Sequence, residues 1–350
     1  MKLRNLSLYF LLLAVIIVAC SPDDPDFIPV EDRDRTEQQT TDKALILEYL
    51  QTHFYNSGEL AGLVNPEVED IIIDTLLTTV PANHTLLIDA VETRTTTFED
   101  TVYEYYILKI NQGGGEESPN FTDAVRVEYE GRLIPNFEDE IDTNDEDSVF
   151  DSAVTPADFN LVGFGVNGGG VITGWQRVFP EFNTAESFTT GPTVEYNNYG
   201  FGIMFLPSGL AYFSTQLLGI PSYSNLMFKF TLFQSQVVDH DEDGIPSYVE
   251  DLNGDLSTFD EDTDEDNIVN YVDPDDDGDG VLTINELMRT EYIFNVGDSD
   301  PILATNEFEL TRTVDMGVVT LTTGTIVDTD MNGEPDYLDE DITEDYSEDN

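Results

Sequence analysis

Short carboxylates recur at alternate positions toward the end of this chain. Asp239, Asp241 and Asp243 are followed by Gly244 and, at the twelfth position, by Glu250. Asp275, Asp277, Asp279, Gly280 and Glu286 repeat the pattern. Asp328, Asp330, Asn332, Gly333 and Asp339 repeat it with Asp at the end, and Asp262, Asp264, Asp266, Asn267 and Asp273 with Asn at the turn. Calcium takes about six to eight oxygens, and acids at positions 1, 3, 5 and 12 of a loop turning sharply at 6 wrap short side chains around one point. Gly, or Asn, suits the left-handed backbone of that turn. The chemistry is oxygen-only coordination of a hard cation, here structural Ca2+. Acid-rich composition yields alternate acids by chance, but it does not dictate the turn residue. His240 sits inside the first loop at a non-ligand position and is assigned no role.

The charge balance agrees. The chain carries 72 acids against 13 Lys and Arg, a formal net charge of -59. Of those acids, 36 fall in 239–350, opposed there only by Arg289 and Arg312. Such a segment repels itself unless cations neutralise it. The same excess excludes nucleic acid, whose phosphates need clustered Lys and Arg.

Other elements must carry these loops. Residues 21–40 are polar without a period and read as a flexible acidic tether. From Asp42, Leu45, Ile46, Tyr49, Leu50 and Phe54 fall on one helical face, with Gly58 as a stop. Residues 68–97 are rich in β-branched types and are expected to pack on, or lead into, the next domain. Strands are expected over 103–110, 124–133 and 226–233, with at most a short helix after Trp175. In the acidic region a hairpin is expected from 308–314 and 318–326, and a helix is supported only over 282–292. The fold class is α+β: a mostly antiparallel β-sheet with a short helix, followed by an acidic calcium-loop repeat tail.

Seven ordered fragments between residues 100 and 236 resemble the FKBP family of peptidyl-prolyl isomerases. They are VRVEYEG (125–131), VFDSA (149–153), the Phe159 and Leu161 pair, VITGW (171–175), LPSGLAY (206–212), GIP (219–221) and NLMFKFTL (225–232). The resemblance implies a curved antiparallel β-sheet wrapped around one short helix, with an aromatic pocket for a prolyl ring. Trp175 would be its floor, and Tyr129, Phe150, Phe159, Val171, Ile172 and Phe228 its walls. Asp151 and Tyr212 would be polar edges, Ile220 would come from the covering loop, and the Ile172 N–H would contact a substrate carbonyl. It implies proline-containing polypeptides as substrates and no cofactor for catalysis. Phe213 stands where the family has Gly, an acidic insertion fills 136–148, and 180–202 is long. The acidic loops resemble thrombospondin type 3 and related Asp-rich repeats more than regular EF-hands, because Ile245-Pro246 follows the first turn. That implies weak calcium affinity, about 10⁻⁴–10⁻³ M.

The start of the chain carries Lys2 and Arg4, an apolar run over 8–19, and then Cys20, the single cysteine. The run is short for a membrane span, which needs ~20 residues. A small residue before Cys20 resembles a bacterial lipoprotein signal, implying cleavage before Cys20 and attachment of acyl chains such as palmitate. The acidic stretch that follows looks like the export tether of some Bacteroidetes lipoproteins. The expected organisation is 1–20 signal peptide with the Cys20 lipidation site, 21–41 tether, 42–99 N-terminal helical and mixed segment, 100–236 isomerase-like domain, and 237–350 calcium-binding repeats. The expected location is the outer membrane, facing periplasm or cell surface, with a lipid anchor as the membrane contact. Two other functions remain open: a non-catalytic peptide-binding or chaperone module, and a calcium-stabilised structural or adhesion lipoprotein. Oligomeric state is not legible.

Overall fold

The computed structural model describes residues 31–135, 148–163 and 170–348. The chain divides into two units, Met1–Asp34 and Arg35–Asn350. Of the first, only 31–34 are described, without helix or strand. Cys20, the signal-like segment and most of the acidic insertion lie outside the described residues. Among the described residues no helix is long and apolar enough to cross a membrane.

The second unit opens with helix α1, Arg35–Thr52. It starts seven residues before Asp42, so 35–41 are helix and not tether. The hydrophobic period hid this start because polar residues hold the core positions. Gln38, Gln39 and Asp42 are buried. Gln38 donates to Asp42 Oδ1 at 2.6 Å, and Gln39 donates to the Glu104 carbonyl at 3.4 Å. Strand β1 (His53–Tyr55) follows, then the one-turn helix α2 (Ser57–Leu60). β1 is the centre of a small sheet with β2 (Ile73–Thr75) and β3 (Thr85–Leu86).

The main sheet has six strands, all paired antiparallel. β4 (Glu92–Phe98), β5 (Thr101–Asn111), β6 (Ala124–Leu133) and β7 (Val149–Asn160) come first in the chain. A two-stranded ribbon, β8 (Ser187–Thr189) and β9 (Glu195–Asn197), occupies much of the long 180–202 segment. β10 (Gly200–Leu206) and β11 (Leu226–Gln236) complete the sheet, in the order β4-β5-β10-β11-β6-β7. β4 lies before residue 100, so the sheet begins earlier than the expected domain boundary.

Both faces of the sheet are covered. On one, Tyr105, Ile107, Tyr129, Leu206, Phe228 and Phe230 pack with Trp175, Val178, Phe179 and Phe182. On the other, Tyr106, Leu108, Ile203, Phe205 and Met227 pack with Ile46, Tyr49 and Leu50 of α1. Successive strand residues face opposite ways. Strands buried on both faces therefore read as unbroken apolar runs, as in the GFGIMFL of β10. The short helix α3 (Thr173–Val178) lies on the first face. Its Gly174 is needed there, because a Cβ would stand 2.4 Å from Leu206 Cδ1.

The acidic region is folded against this body. Tyr271 packs with Phe121 and Val162, and a second small core joins Ile245, Leu287, Tyr337 and Leu338. A three-stranded sheet, β12 (Met288–Asn295), β13 (Glu307–Asp315) and β14 (Val318–Thr325), is ordered β12-β14-β13. The expected hairpin is present as β13 and β14. The helix expected over 282–292 is not: one 3₁₀ turn, Thr283–Asn285, leads into β12. β12 contains Thr290, Tyr292, Ile293 and Phe294, types that favour a strand, and β14 offers it an eight-residue antiparallel partner.

Candidate functional sites

Strand register builds the first site. Tyr129 of β6 pairs with Phe230 of β11, and Gly131 with Phe228. Across the other edge of β6, Gly131 pairs with Asp151 of β7, and Val125 with Phe159. Gly131 makes the room: a Cβ there would meet Phe150 Cζ at 2.7 Å and Phe228 Cε1 at 2.8 Å.

Four rings converge on Trp175. Tyr129, Phe159 and Phe228 meet it edge to face at 5.1, 5.5 and 5.4 Å between centroids, and Phe179 backs it at 5.1 Å. Phe150 stands against Phe228 at 5.6 Å. Trp175, Tyr129, Phe228 and Ile220 are buried, while Phe150, Phe159, Val171, Ile172 and Tyr212 are half-buried around them and Asp151 is exposed. The result is a cup with an aromatic floor and an open rim. Ile172 caps α3 in an extended conformation and accepts the Trp175 N–H at 3.0 Å. Its own N–H meets no acceptor among the described residues. The Tyr129 hydroxyl donates to Asp151 Oδ2 at 2.6 Å. Burial, then that bond to Asp151, raises the Tyr129 pKa, so the phenol stays protonated. Tyr212 is raised by burial and next by the Asp151 charge.

The loop over the cup, 207–225, is rooted in α1. Asp42 accepts the Ser208 N–H at 2.9 Å and its hydroxyl at 2.6 Å, and Asn225 Oδ1 takes the same N–H at 3.2 Å. Phe213 adopts φ +47, the left-handed backbone that favours glycine. Its ring packs on Tyr223 at 5.1 Å and under the Arg35 guanidinium at 4.2 Å. A cleft of about 450 Å³ lies on the opposite face, lined by residues including Tyr49, Glu69, Asp74 and Met227. Its cations are already engaged: Lys229 and Arg132 pair with Glu130 at 2.9 and 2.7 Å.

The second site is a set of loops of one design. In each, the residue at position 6 takes positive φ: Gly244 +96, Asn267 +78, Gly280 +97 and Gly333 +98. Its N–H returns to the position-1 carboxylate, as Gly244 to Asp239 at 2.9 Å, Asn267 to Asp262 at 3.1 Å and Gly333 to Asp328 at 3.0 Å. One 3₁₀ turn at positions 9–11 (Asn270–Val272, Thr283–Asn285, Asp336–Leu338) brings the twelfth residue back. A fifth loop was missed in the sequence: Asp251, Asn253 and Asp255, with Leu256 at φ +67 and Asp262 twelfth. Its spacing was visible, but Leu at the turn concealed it. His240 does have a structural part. It bonds Asn160 of β7 at 2.9 Å and Ser247 at 2.8 Å, fastening the first loop to the sheet.

The carboxylates cluster. The side-chain oxygens of Asp239, Asp241 and Asp243 lie within 4.8 Å of one another, as do those of Asp262, Asp264 and Asp266 and those of Asp275, Asp277 and Asp279. In the loop of Asp328 and Asp330, Asn332 donates to the twelfth residue, Asp339, at 2.7 Å. Buried oxygens of Asp241, Asp243, Glu250, Asp262, Asp275, Asp277, Asp279 and Glu286 have no hydrogen-bond donor among the described residues. Asp273, the twelfth residue of the loop 262–273, is buried and accepts the Asp275 N–H at 3.0 Å. Burial, then neighbouring acids, pushes Glu286 up to about 9 and Glu250 well above the carboxylate range. A buried carboxylate with no donor must bind a proton or a cation. The donor set fits a hard divalent ion.

Residues 240–300 match the family described as the BamM C-terminal region. That stretch covers three of the four loops likened above to thrombospondin type 3 repeats, without the loop 328–339, and the matching family there is this one and not thrombospondin type 3 or EF-hand. A peptidyl-prolyl cis-trans isomerase of Pseudomonas syringae pv. tomato superposes with a TM-score of 0.31 at 16% identity, covering 59% of this chain and 99% of that one. FkpA of Escherichia coli superposes with a TM-score of 0.29 at 23% identity, covering 42% of this chain and 52% of that one. Both scores are low, so neither likeness carries weight beside the strand order and the ring contacts. No curated protein matches the chain.

Proposed function

We propose that this chain is an FKBP-type peptidyl-prolyl cis-trans isomerase, anchored in the outer membrane through lipid on Cys20, with a C-terminal region stapled by structural calcium. The observation that carries the isomerase reading is the cup: Tyr129, Phe159 and Phe228 converge on Trp175, and the Ile172 N–H at its edge has no acceptor among the described residues. These residues come from separate fragments of the chain.

Amide resonance maintains a barrier of about 18–20 kcal/mol to rotation about X–Pro bonds. The twisted amide has lost conjugation and charge separation, so an apolar cup favours it over the planar forms. The prolyl ring would rest on Trp175. The Ile172 N–H would hold the preceding carbonyl, and Asp151, oriented by the Tyr129 hydroxyl, would line the polar edge. No nucleophile or catalytic cofactor is needed. The substrates would be proline-containing segments of envelope or surface proteins.

The test is isomerisation of a proline peptide by the full chain with calcium present. Acceleration that falls at least tenfold in Asp151→Ala and further in Trp175→Ala supports the reading. A folded, calcium-loaded chain that leaves the rate at background ends it. A second reading, a peptide holder with little turnover, is favoured by Phe213, pinned between Arg35 and Tyr223 at the base of the covering loop. Under that reading Phe213→Gly frees the loop and turnover rises, while peptide affinity stays bound to Trp175.

A further inference from the structure

Asp276 occupies the second position of the loop 275–286, which the calcium-loop pattern leaves without a ligand. The corresponding residues in the other loops are His240, Leu252, Thr263 and Thr329, none of them acidic. The Asp276 backbone N–H is clasped within its own loop by Thr283 Oγ1 at 3.3 Å. Its side chain lies elsewhere. One carboxylate oxygen each of Asp276, Asp243 and Glu250 lie within 4.8 Å of one another, and all three residues are buried. Asp243 and Glu250 are positions 5 and 12 of the loop 239–250, so Asp276 reaches into a loop that starts 37 residues before it.

The burial is the independent sign of a ligand. Glu250 and Asp276 are each 1% exposed. Both carboxylate oxygens of each, and Oδ2 of Asp243, have no hydrogen-bond donor among the described residues. Of the six oxygens only Asp243 Oδ1 has a donor among the described residues, the Ile245 N–H at 2.8 Å, and three mutually close, desolvated carboxylates of this kind disfavour folding unless a cation sits between them. The two loops also back onto each other through apolar contacts: Ile245 and Leu287 share a core, and a Cβ on Gly244 would stand 2.9 Å from Leu287 Cδ1.

We propose that Asp276 is a ligand of the divalent cation held by the loop 239–250, so that one ion clamps that loop to the loop 275–286. This rests on the calcium reading of the acidic region and adds to it a ligand from outside the twelve-residue pattern. The hard, oxygen-only donors suit calcium, which accepts about six to eight oxygens in flexible geometry.

A double-mutant cycle on the full chain decides it, with calcium alone as the probe and calorimetry as the readout. Asp276→Asn is expected to weaken one site at least tenfold. Combined with Glu250→Gln it should cost little beyond the worse single change, because both act on one ion; combined with Glu286→Gln the losses should add. If Glu250→Gln does not fold, Asp243→Asn takes its place. In chelator, Asp276→Asn should melt at or above the unaltered chain, since one buried unpaired charge is gone, and in saturating calcium below it. Losses that add with Glu250→Gln but not with Glu286→Gln would return Asp276 to its own loop and overturn the proposal. So would unchanged calcium binding in Asp276→Asn, or lower melting in both buffers; the other calcium loops survive either result. No calcium uptake by the unaltered chain removes this site and the calcium reading together.

Discussion

The six-stranded sheet and the acidic loops bury opposite kinds of side chain. The sheet is lined on both faces by aromatic and aliphatic residues. Of its buried polar groups, Asp42 is matched by Ser208, while Asp123 Oδ1, Trp175 Nε1 and Arg177 Nη1 meet no partner among the described residues. The loop region has two small apolar clusters, one around Ile245, Leu287, Tyr337 and Leu338 and one around Tyr271, and it buries many carboxylates besides, Asp243, Glu250, Asp276 and Glu286 among them. Water exclusion stabilises the first region at any calcium level. In the second, under the calcium proposal, the same exclusion works against folding until cations arrive. On that proposal one chain holds a self-sufficient body and a conditional one.

Chelation should separate them most. Removing calcium should raise amide exchange across 239–348 on the order of 100-fold or more, while β5, β10 and β11 stay protected. Equal protection with and without chelator would erase the contrast. Trp175→Ala should do the reverse. It opens a large hole in the sheet core and costs about 3–5 kcal/mol in chemical denaturation, with calcium uptake by the loops unchanged. A matching loss of calcium affinity would show the two regions to be a single cooperative unit.

A smaller effect is expected at the root of the covering loop. Asp42→Ala leaves the Ser208 hydroxyl without its acceptor and should cost about 1–3 kcal/mol. Faster exchange confined to 207–225 would place that loss in the sheet body. The smallest effect concerns pH. Burial, then the charges of Glu69 and Glu67, pushes Glu128 up to about 7 from its ordinary 4.5. The folded state then holds a proton that the unfolded chain has released, so this group's contribution to stability falls as pH rises from 4.5 through 7. Glu128→Gln should therefore raise the melting temperature at pH 8 and leave it nearly unchanged at pH 5. A rise of the same size at both would refute the titration of Glu128.

Legibility tracked the distance between partners. The strand 124–133 was read to the residue because alternation is a property of adjacent positions. The loops of Gly244, Gly280 and Gly333 were visible because each set of acids spans twelve residues around a residue of positive φ. The loop 251–262 escaped because Leu256, a γ-branched residue, takes the left-handed turn. The first two turns of α1 escaped because Gln38, Gln39 and Asp42 fill positions where apolar residues are expected. β12 was read as helix because its partner β14 is remote in sequence and supplies the pairing.

The sequence by itself determined the parts whose ligands or periods are local: the repeated acid spacing, most strands, and the order of the fragments that form the aromatic cup. Tertiary structure alone decided which side chains from distant segments share a point. It brought Asp42 to Ser208 across 166 residues and Asp276 to Glu250, and it set Phe213 beneath Arg35. The reason is physical. Spacing along a chain fixes geometry over one loop or one strand, whereas burial and charge are set by whatever the rest of the fold packs alongside.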